Sequence, residues 1–144
     1  MLLLLPHDEH SVEVRGGNGR GSAMVRRVGD RLYYTSSTGD PLGLGDVTGV
    51  SEHEAWERSM QTDYPDALVQ ILALNDCRRS GDLILSATRE WDYRGRYEPI
   101  PHRSSHGALH REHMLVPMLT NVSSGAPWRR TQDVFHRAML HLGV

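Results

Sequence analysis

Leu83-Ile84-Leu85-Ser86-Ala87 is the stretch on which the fold reading turns. It is apolar at successive positions, the pattern of a strand covered on both faces, as in parallel sheets. Ser80-Gly81-Asp82 turns into it. Met114-Leu115-Val116-Pro117-Met118-Leu119 reads as a second buried strand, with Pro117 where no ladder donor is required. Helical signals surround the pair. Ser51 and Glu54 make a capping box that opens a short helix to about Met60. Asp63-Tyr64-Pro65-Asp66 opens another, with Pro65 suited to the first turn. Ala67, Leu68, Ile71, Leu72 and Leu74 give it one apolar face up to about Cys77, and Arg78 and Arg79 follow where the helix dipole favours positive charge. The last element is a helix from about Thr131 to Leu142, with Thr131 as N-cap, Asp133 in the first turn and Gly143 as the C′ residue. Val134, Phe135, Ala138, Met139 and Leu142 form its expected buried stripe. Helix, buried strand, loop, buried strand, helix over residues 51–144 predicts an α/β fold, a partial and mostly parallel sheet flanked by helices.

Residues 1–50 read differently. Leu2 to Leu5 is a short apolar strand closed by Pro6. Val12-Glu13-Val14-Arg15 alternates, Gly16-Gly17-Asn18-Gly19 reverses the chain, a run through Met24 and Val25 ends near Gly29-Asp30, and Leu32-Tyr33-Tyr34-Thr35 resumes with β-formers. The expectation is an N-terminal antiparallel β meander, an excursion of the same domain whose remainder is the α/β portion. The glycines from Gly16 to Gly21 fit neither dinucleotide nor nucleotide phosphate-loop spacing and lead into no amphipathic helix, so they read as a hairpin turn.

Composition narrows the function classes. The chain has 144 residues, 38% hydrophobic and 24% charged, with a net charge of −2 when histidine is neutral. That balance gives no uniform basic surface for nucleic acid. All 16 basic residues are arginine, a composition bias with no functional reading. One cysteine, Cys77, excludes an internal disulfide framework and a multi-thiolate zinc site, and its helical position reads as a half-buried small apolar residue. No stretch has the pattern of a signal peptide or membrane span, so a cytoplasmic location is the default expectation.

Nine histidines are many for this length, and His102, His106, His110 and His113 fall close together. On a helix they would share a face and could converge on zinc. Pro99 and Pro101 before them and Gly107 among them argue against that helix. His106 stands apart because Ser104-Ser105-His106-Gly107 lies on a loop between the two expected buried strands, where α/β proteins gather functional side chains. Gly107 would let the backbone approach closely and leave room for an ion beside the imidazole. Pro6-His7-Asp8-Glu9-His10 reads as a polar turn.

The run Ser80 to Ala87, then Ser105-His106-Gly107, then Arg111-Glu112-His113-Met114-Leu115-Val116-Pro117-Met118-Leu119 resembles the C-terminal part of alkaline-phosphatase-superfamily hydrolases. It looks closest to their type I phosphodiesterase and nucleotide pyrophosphatase branch. The tail Arg130-Thr131-Gln132-Asp133-Val134-Phe135 through Leu142-Gly143 is similar to the closing helix of such enzymes. The resemblance spans roughly residues 63 to 143 and is loose over the meander. It implies a site with two metal ions, usually zinc, about 4 Å apart, which activate a Ser or Thr nucleophile and stabilise charge on the phosphoryl oxygens. In that family the histidine of the C-terminal His-Gly is a metal ligand, and the matching residue here is His106.

No serine or threonine in the chain has a recognisable nucleophile context, and the family's other Asp and His ligands have no counterpart. One imidazole cannot hold zinc in place of three or four ligands. The expectation is therefore the C-terminal part of a metal-dependent phosphoric-ester hydrolase acting on a small phosphoester. It contributes His106 to a zinc or other divalent site and is inactive alone. A non-catalytic stable module or interaction protein is the alternative, as is a small metal protein built on the four clustered histidines. A parallel sheet lacking its other strands would expose a sticky edge at Leu2 to Leu5 and Leu83 to Leu85, so self-association is expected as well.

Overall fold

A computed structural model of the chain describes residues 1–89, 91, 93, 106–121 and 129–143. Its strands are β1 (Leu2–Asp8), β2 (Ser11–Gly16), β3 (Gly21–Val28), β4 (Arg31–Gly39), β5 (Val47–Val50) and β6 (Ile84–Ser86). Its helices are α1 (Glu52–Ser59), α2 (Ala67–Asp76), the single turn α3 (Arg111–Met114) and α4 (Thr131–Leu142). The strands form one sheet in the order β5-β4-β3-β2-β1-β6, and every neighbouring pair is antiparallel.

The expected mostly parallel sheet is therefore corrected. Its physical reason lies in the connections. A parallel pair needs a crossover of a dozen or more residues, whereas β1 to β4 are joined by tight turns that only antiparallel neighbours can use. The meander is not an excursion from another sheet; it is the body of the sheet. At the β2–β3 turn Asn18 and Gly19 both have positive φ, 57° and 75°, the conformation of the primed hairpin turns. Gly21 faces Gly39 across β3 and β4 with φ +91°, and a Cβ there would lie 1.7 Å from the Thr38 carbonyl oxygen. Only glycine fits at that crossing.

Period-two alternation sets the core. Leu2, Leu4, Val12, Val14, Ala23, Val25, Leu32 and Tyr34 point to one face and are buried. Leu68, Ile71 and Leu72 of α2 pack onto the same cluster, with α2 over β2 and β3 and α1 over β4 and β5. Each buried aliphatic side chain contributes about 1.5–3 kcal/mol. The opposite face carries Glu13, Arg15, Arg26 and Thr35, with Leu3 and Leu5 half-buried among them. The Leu2 to Leu5 segment is not an exposed edge, because β1 lies between β2 and β6 and runs past Pro6 to Asp8. Pro6 is tolerated where β6 no longer flanks β1, just before a register shift.

The capping box at α1 forms as its residues dictate: Ser51 Oγ accepts from Glu54 N at 3.2 Å, and Glu54 Oε2 accepts from Ser51 N at 2.8 Å. At α2 the cap is Asp66 with φ 58°, a left-handed conformation unusual for a residue other than glycine. Ser59 Oγ accepts its N–H at 2.7 Å and so holds it there.

Four further expectations are overturned. Leu83 to Ala87 is not a strand buried on both faces; it shortens to β6, an edge strand antiparallel to β1, with Leu83 53% and Leu85 44% exposed. Met114 to Leu119 is not a strand; α3 ends at Met114 and Leu115 to Leu119 is exposed. The stripe of α4 is not buried, since none of that helix's described residues is, and its N-cap is Arg130 rather than Thr131. Cys77 is exposed just past the end of α2 rather than half-buried within it. Apolar composition gave the same signal in all these segments whether or not another layer covers them. Among the described residues, no helix is long and apolar enough to cross a membrane.

Candidate functional site

The loop that carries His106 is fastened at three points. Ser86 Oγ, at the end of β6 and 5% exposed, accepts the Leu109 N–H at 2.9 Å and ties the loop to the sheet. Ala108 and Leu109 are buried. Arg111 N donates to Asp63 O at 2.8 Å, and the Arg111 guanidinium donates to the carbonyls of Thr62 and Met60. One arginine thus clamps the turn between α1 and α2 to the start of α3.

His106 itself is exposed. It borders a small hollow of about 90 Å³ with Leu85, Ala87, Trp91, Tyr93 and His113. That volume holds about three waters at liquid density, and it is well below the roughly 300–1,000 Å³ of a small-molecule site. Gly107 has φ +96°, so glycine is required by conformation. A Cβ there would meet nothing within 4 Å, so the expected close backbone approach is not the reason for it.

The four-histidine cluster does not assemble on a helix. His102, like Ser104 and Ser105, lies outside the described residues. Only Arg111–Met114 is helical, so His106 and His113 share no helix face, although both border the hollow. His113 Nδ1 accepts the Ala108 N–H at 3.3 Å, and His110 Nδ1 accepts the Glu112 N–H at 3.4 Å. A neutral imidazole whose Nδ1 accepts must carry its proton on Nε2, which leaves neither nitrogen free to bind a metal. His110 also packs edge-on against Tyr64, with ring centroids 6.0 Å apart. His106 has no such internal bond among the described residues. Sequence spacing alone could not have made this distinction, because both committed rings are fixed by bonds to backbone N–H groups.

The His7 to His10 segment forms the β1–β2 turn at the far end of the sheet, beside an open depression of about 680 Å³. Its polar groups serve the turn. Asp8 Oδ1 accepts from His10 N at 2.7 Å, which holds its carboxyl below the usual range, and His7 lies 3.7 Å from Glu13. Among the described residues no three His, Cys, Asp or Glu side chains converge as a metal site would require. The described residues therefore do not complete a zinc site.

The resembling C-terminal tail is anchored by a device that sequence reading missed. Arg130 grips Asp66 with two bonds, Nε to Oδ2 at 2.7 Å and Nη2 to Oδ1 at 2.9 Å, while its Nη1 reaches Glu52 at 3.1 Å. The Asp66 carboxylate, then burial, then the charges of Asp66 and Glu52 act on the guanidinium, with a net upward push on its pKa. Arg129 lies over the Trp56 ring at 5.2 Å. Asp133 accepts from the N–H groups of Arg129 and Arg130, both at 2.9 Å, which hold its pKa low. No short-range signal points to a partner 64 positions away. No protein-family model, curated protein or solved structure matches this chain.

Proposed function

We propose that this chain is the C-terminal part of a metal-dependent phosphoric-ester hydrolase. Its chemical contribution is the His106 imidazole, one ligand to a zinc or similar divalent ion whose other ligands come from outside the described residues. The observation that carries the reading is the state of three rings: His110 and His113 are committed to backbone N–H groups, whereas His106 has no such bond among the described residues and is exposed beside a hollow. That hollow has room for an ion with a few waters and not for a phosphodiester, which agrees with a chain that lends a ligand rather than binds substrate alone.

The same observations weigh against the self-contained four-histidine metal protein, since two of its ligands are already spent. A non-catalytic module remains the competing reading, and complementation separates the two. The full chain is mixed with zinc and an aryl phosphodiester, alone and with the separately expressed N-terminal portion of a type I phosphodiesterase. The reading predicts no turnover by the chain alone and restored turnover in the mixture. His106→Ala should abolish that turnover and His113→Ala should leave most of it. Turnover by the chain alone, or in the mixture with His106→Ala, overturns the proposal.

A further inference from the structure

We infer that the outward apolar stripe of α4 docks on the open sheet face of a second copy of this chain, and the reverse, giving a twofold dimer. This pairing needs neither His106 nor a metal ion. Val134, Phe135, Ala138 and Leu142 recur at spacings of three and four residues and so share one side of α4. All four are exposed, Phe135 at 69% and Leu142 at 71%. Asp133, Arg137 and Met139 are the half-buried residues of the helix. The usual amphipathic arrangement is thus inverted, with two charged side chains sheltered and the apolar stripe in water.

The sheet has the complementary defect. α1 and α2 cover one face, and alternation along the ladders puts Leu3, Leu5, Met24, Val28 and Tyr33 on the other. Leu83 and Leu85 continue that open face at the β6 end. Charges between these residues already have partners within the face. Arg15 Nε donates to Glu13 at 2.7 Å, and Arg26 lies over the Tyr33 ring at 5.2 Å. A helix laid over them therefore leaves none of those charges unpaired.

The anchor of α4 decides that the helix comes from another copy. Arg130 holds Asp66 and Glu52, at the starts of α2 and α1, so α4 leaves the body on the helical side of its own sheet. Its stripe and its own open face then lie on opposite sides of that sheet. A twofold axis brings each stripe to the other copy's face, so one self-complementary contact made twice covers both surfaces. The sizes agree. α4 has 12 residues and is about 18 Å long, and six strands spaced about 4.8 Å apart span about 24 Å. A standard stable interface of about 1,600 Å² needs about 400 Å² from each stripe and each face. Phe135 alone offers about 100–170 Å² at its observed exposure. Pairing α4 with α4 would instead leave both sheet faces bare.

Light scattering coupled to gel filtration reads the mass of the full chain at micromolar concentration. The wild type should run as a dimer. Phe135→Glu on the stripe and Met24→Glu on the open face should each weaken it about tenfold or more, since each sets a carboxylate in the apolar contact. Gln61→Glu, in the turn between α1 and α2, should leave it unchanged. If Met24→Glu lowers the thermal midpoint, Thr35→Glu replaces it, because Thr35 is exposed and pairs with Met24. Mixing the Phe135→Glu and Met24→Glu chains should partly restore the dimer, because that pair retains one native stripe on one native face. A wild-type monomer overturns the proposal and passes the stripe to a partner other than this chain. A dimer weakened by Phe135→Glu but indifferent to both face variants also overturns it, because α4 then pairs with α4. So does a dimer that no variant weakens, or a mixture of the two variants that stays monomeric.

Discussion

Tyr34→Phe tests how the long β4–β5 connection is held. Tyr34 is fully buried, and its hydroxyl donates to Asp40 Oδ1 at 2.7 Å and accepts the Leu42 N–H at 3.2 Å. Asp40 also accepts from Gly43 N at 2.9 Å and Gly45 N at 2.7 Å, so one carboxylate organises the whole loop. Removing the hydroxyl loses a hydrogen bond to a charged group, worth about 1.5–3 kcal/mol, and leaves the Leu42 N–H buried without an acceptor. The two effects overlap, and a total of about 2–4 kcal/mol is expected. For a chain of 144 residues each kcal/mol lowers the midpoint by about 3 °C, so the variant should melt about 6–12 °C lower.

The pH dependence carries a sign that the same groups fix. Burial pushes the Asp40 pKa up, but the Tyr34 hydroxyl and the backbone N–H groups of Gly45, Leu44 and Gly43 outweigh it and leave the carboxyl below its ordinary value. Its stabilisation is present above the unfolded carboxylate pKa and is lost as pH falls through the depressed folded value. Tyr34 moves the other way: burial first, then the bond to Asp40, raises its pKa. Its contribution is present below the unfolded tyrosine pKa of about 10 and declines as pH rises above it. The gap between wild type and Tyr34→Phe should therefore be widest near neutrality and narrow at both extremes. Thermal melts followed by circular dichroism across that range measure it. A gap under about 1 kcal/mol at neutral pH, or one that does not vary with pH, refutes the reasoning.

Three further outcomes follow from the site and its anchors. Ser86→Ala removes the acceptor of the buried Leu109 N–H and should cost about 1–3 kcal/mol by urea denaturation, with faster amide exchange at Leu109; unchanged exchange there would count against the fastening. Arg130→Ala should cost about 2–4 kcal/mol and fray α4, because its grip on Asp66 is mostly buried and the helix buries no side chain of its own; full retention of helical signal would contradict this. The Cys77 thiol is exposed and its pKa is lowered, chiefly by the Arg79 N–H, so iodoacetamide should label it in the native state at a rate unaffected by mild denaturant.

Sequence legibility divided along a physical line. Wherever the signal was local, residues and structure agree: the Asn18-Gly19 reversal, the Ser51–Glu54 capping box, the apolar face of α2 and the Gly143 cap with φ 73° all depend on neighbours a few positions away. Strand orientation does not. Leu83 to Ala87 is as apolar as a parallel strand, yet its partner is β1, some 80 positions earlier, and nothing within the run specifies antiparallel pairing. The exposed Leu115 to Leu119 segment and the bare face of α4 have the composition of interior elements, and apolar patterning cannot say which layer covers them. At the candidate site the reading of His106 rested on a loop between two buried strands, neither of which forms as such, and on a close approach at Gly107 that the structure does not show. The commitment of His110 and His113 was not legible, because it depends on where Ala108 and Glu112 point their N–H groups.

The central claim is that His106 alone, among the described clustered histidines, is available to a metal ion. The most direct measurement is a zinc titration followed by the imidazole signals of His106, His110 and His113 in the nuclear magnetic resonance spectrum of the full chain. The account predicts that the His106 signals shift, with weak affinity, while those of His110 and His113 stay in place. Concerted movement of all three at micromolar zinc, or a His106 ring that does not respond, would contradict it.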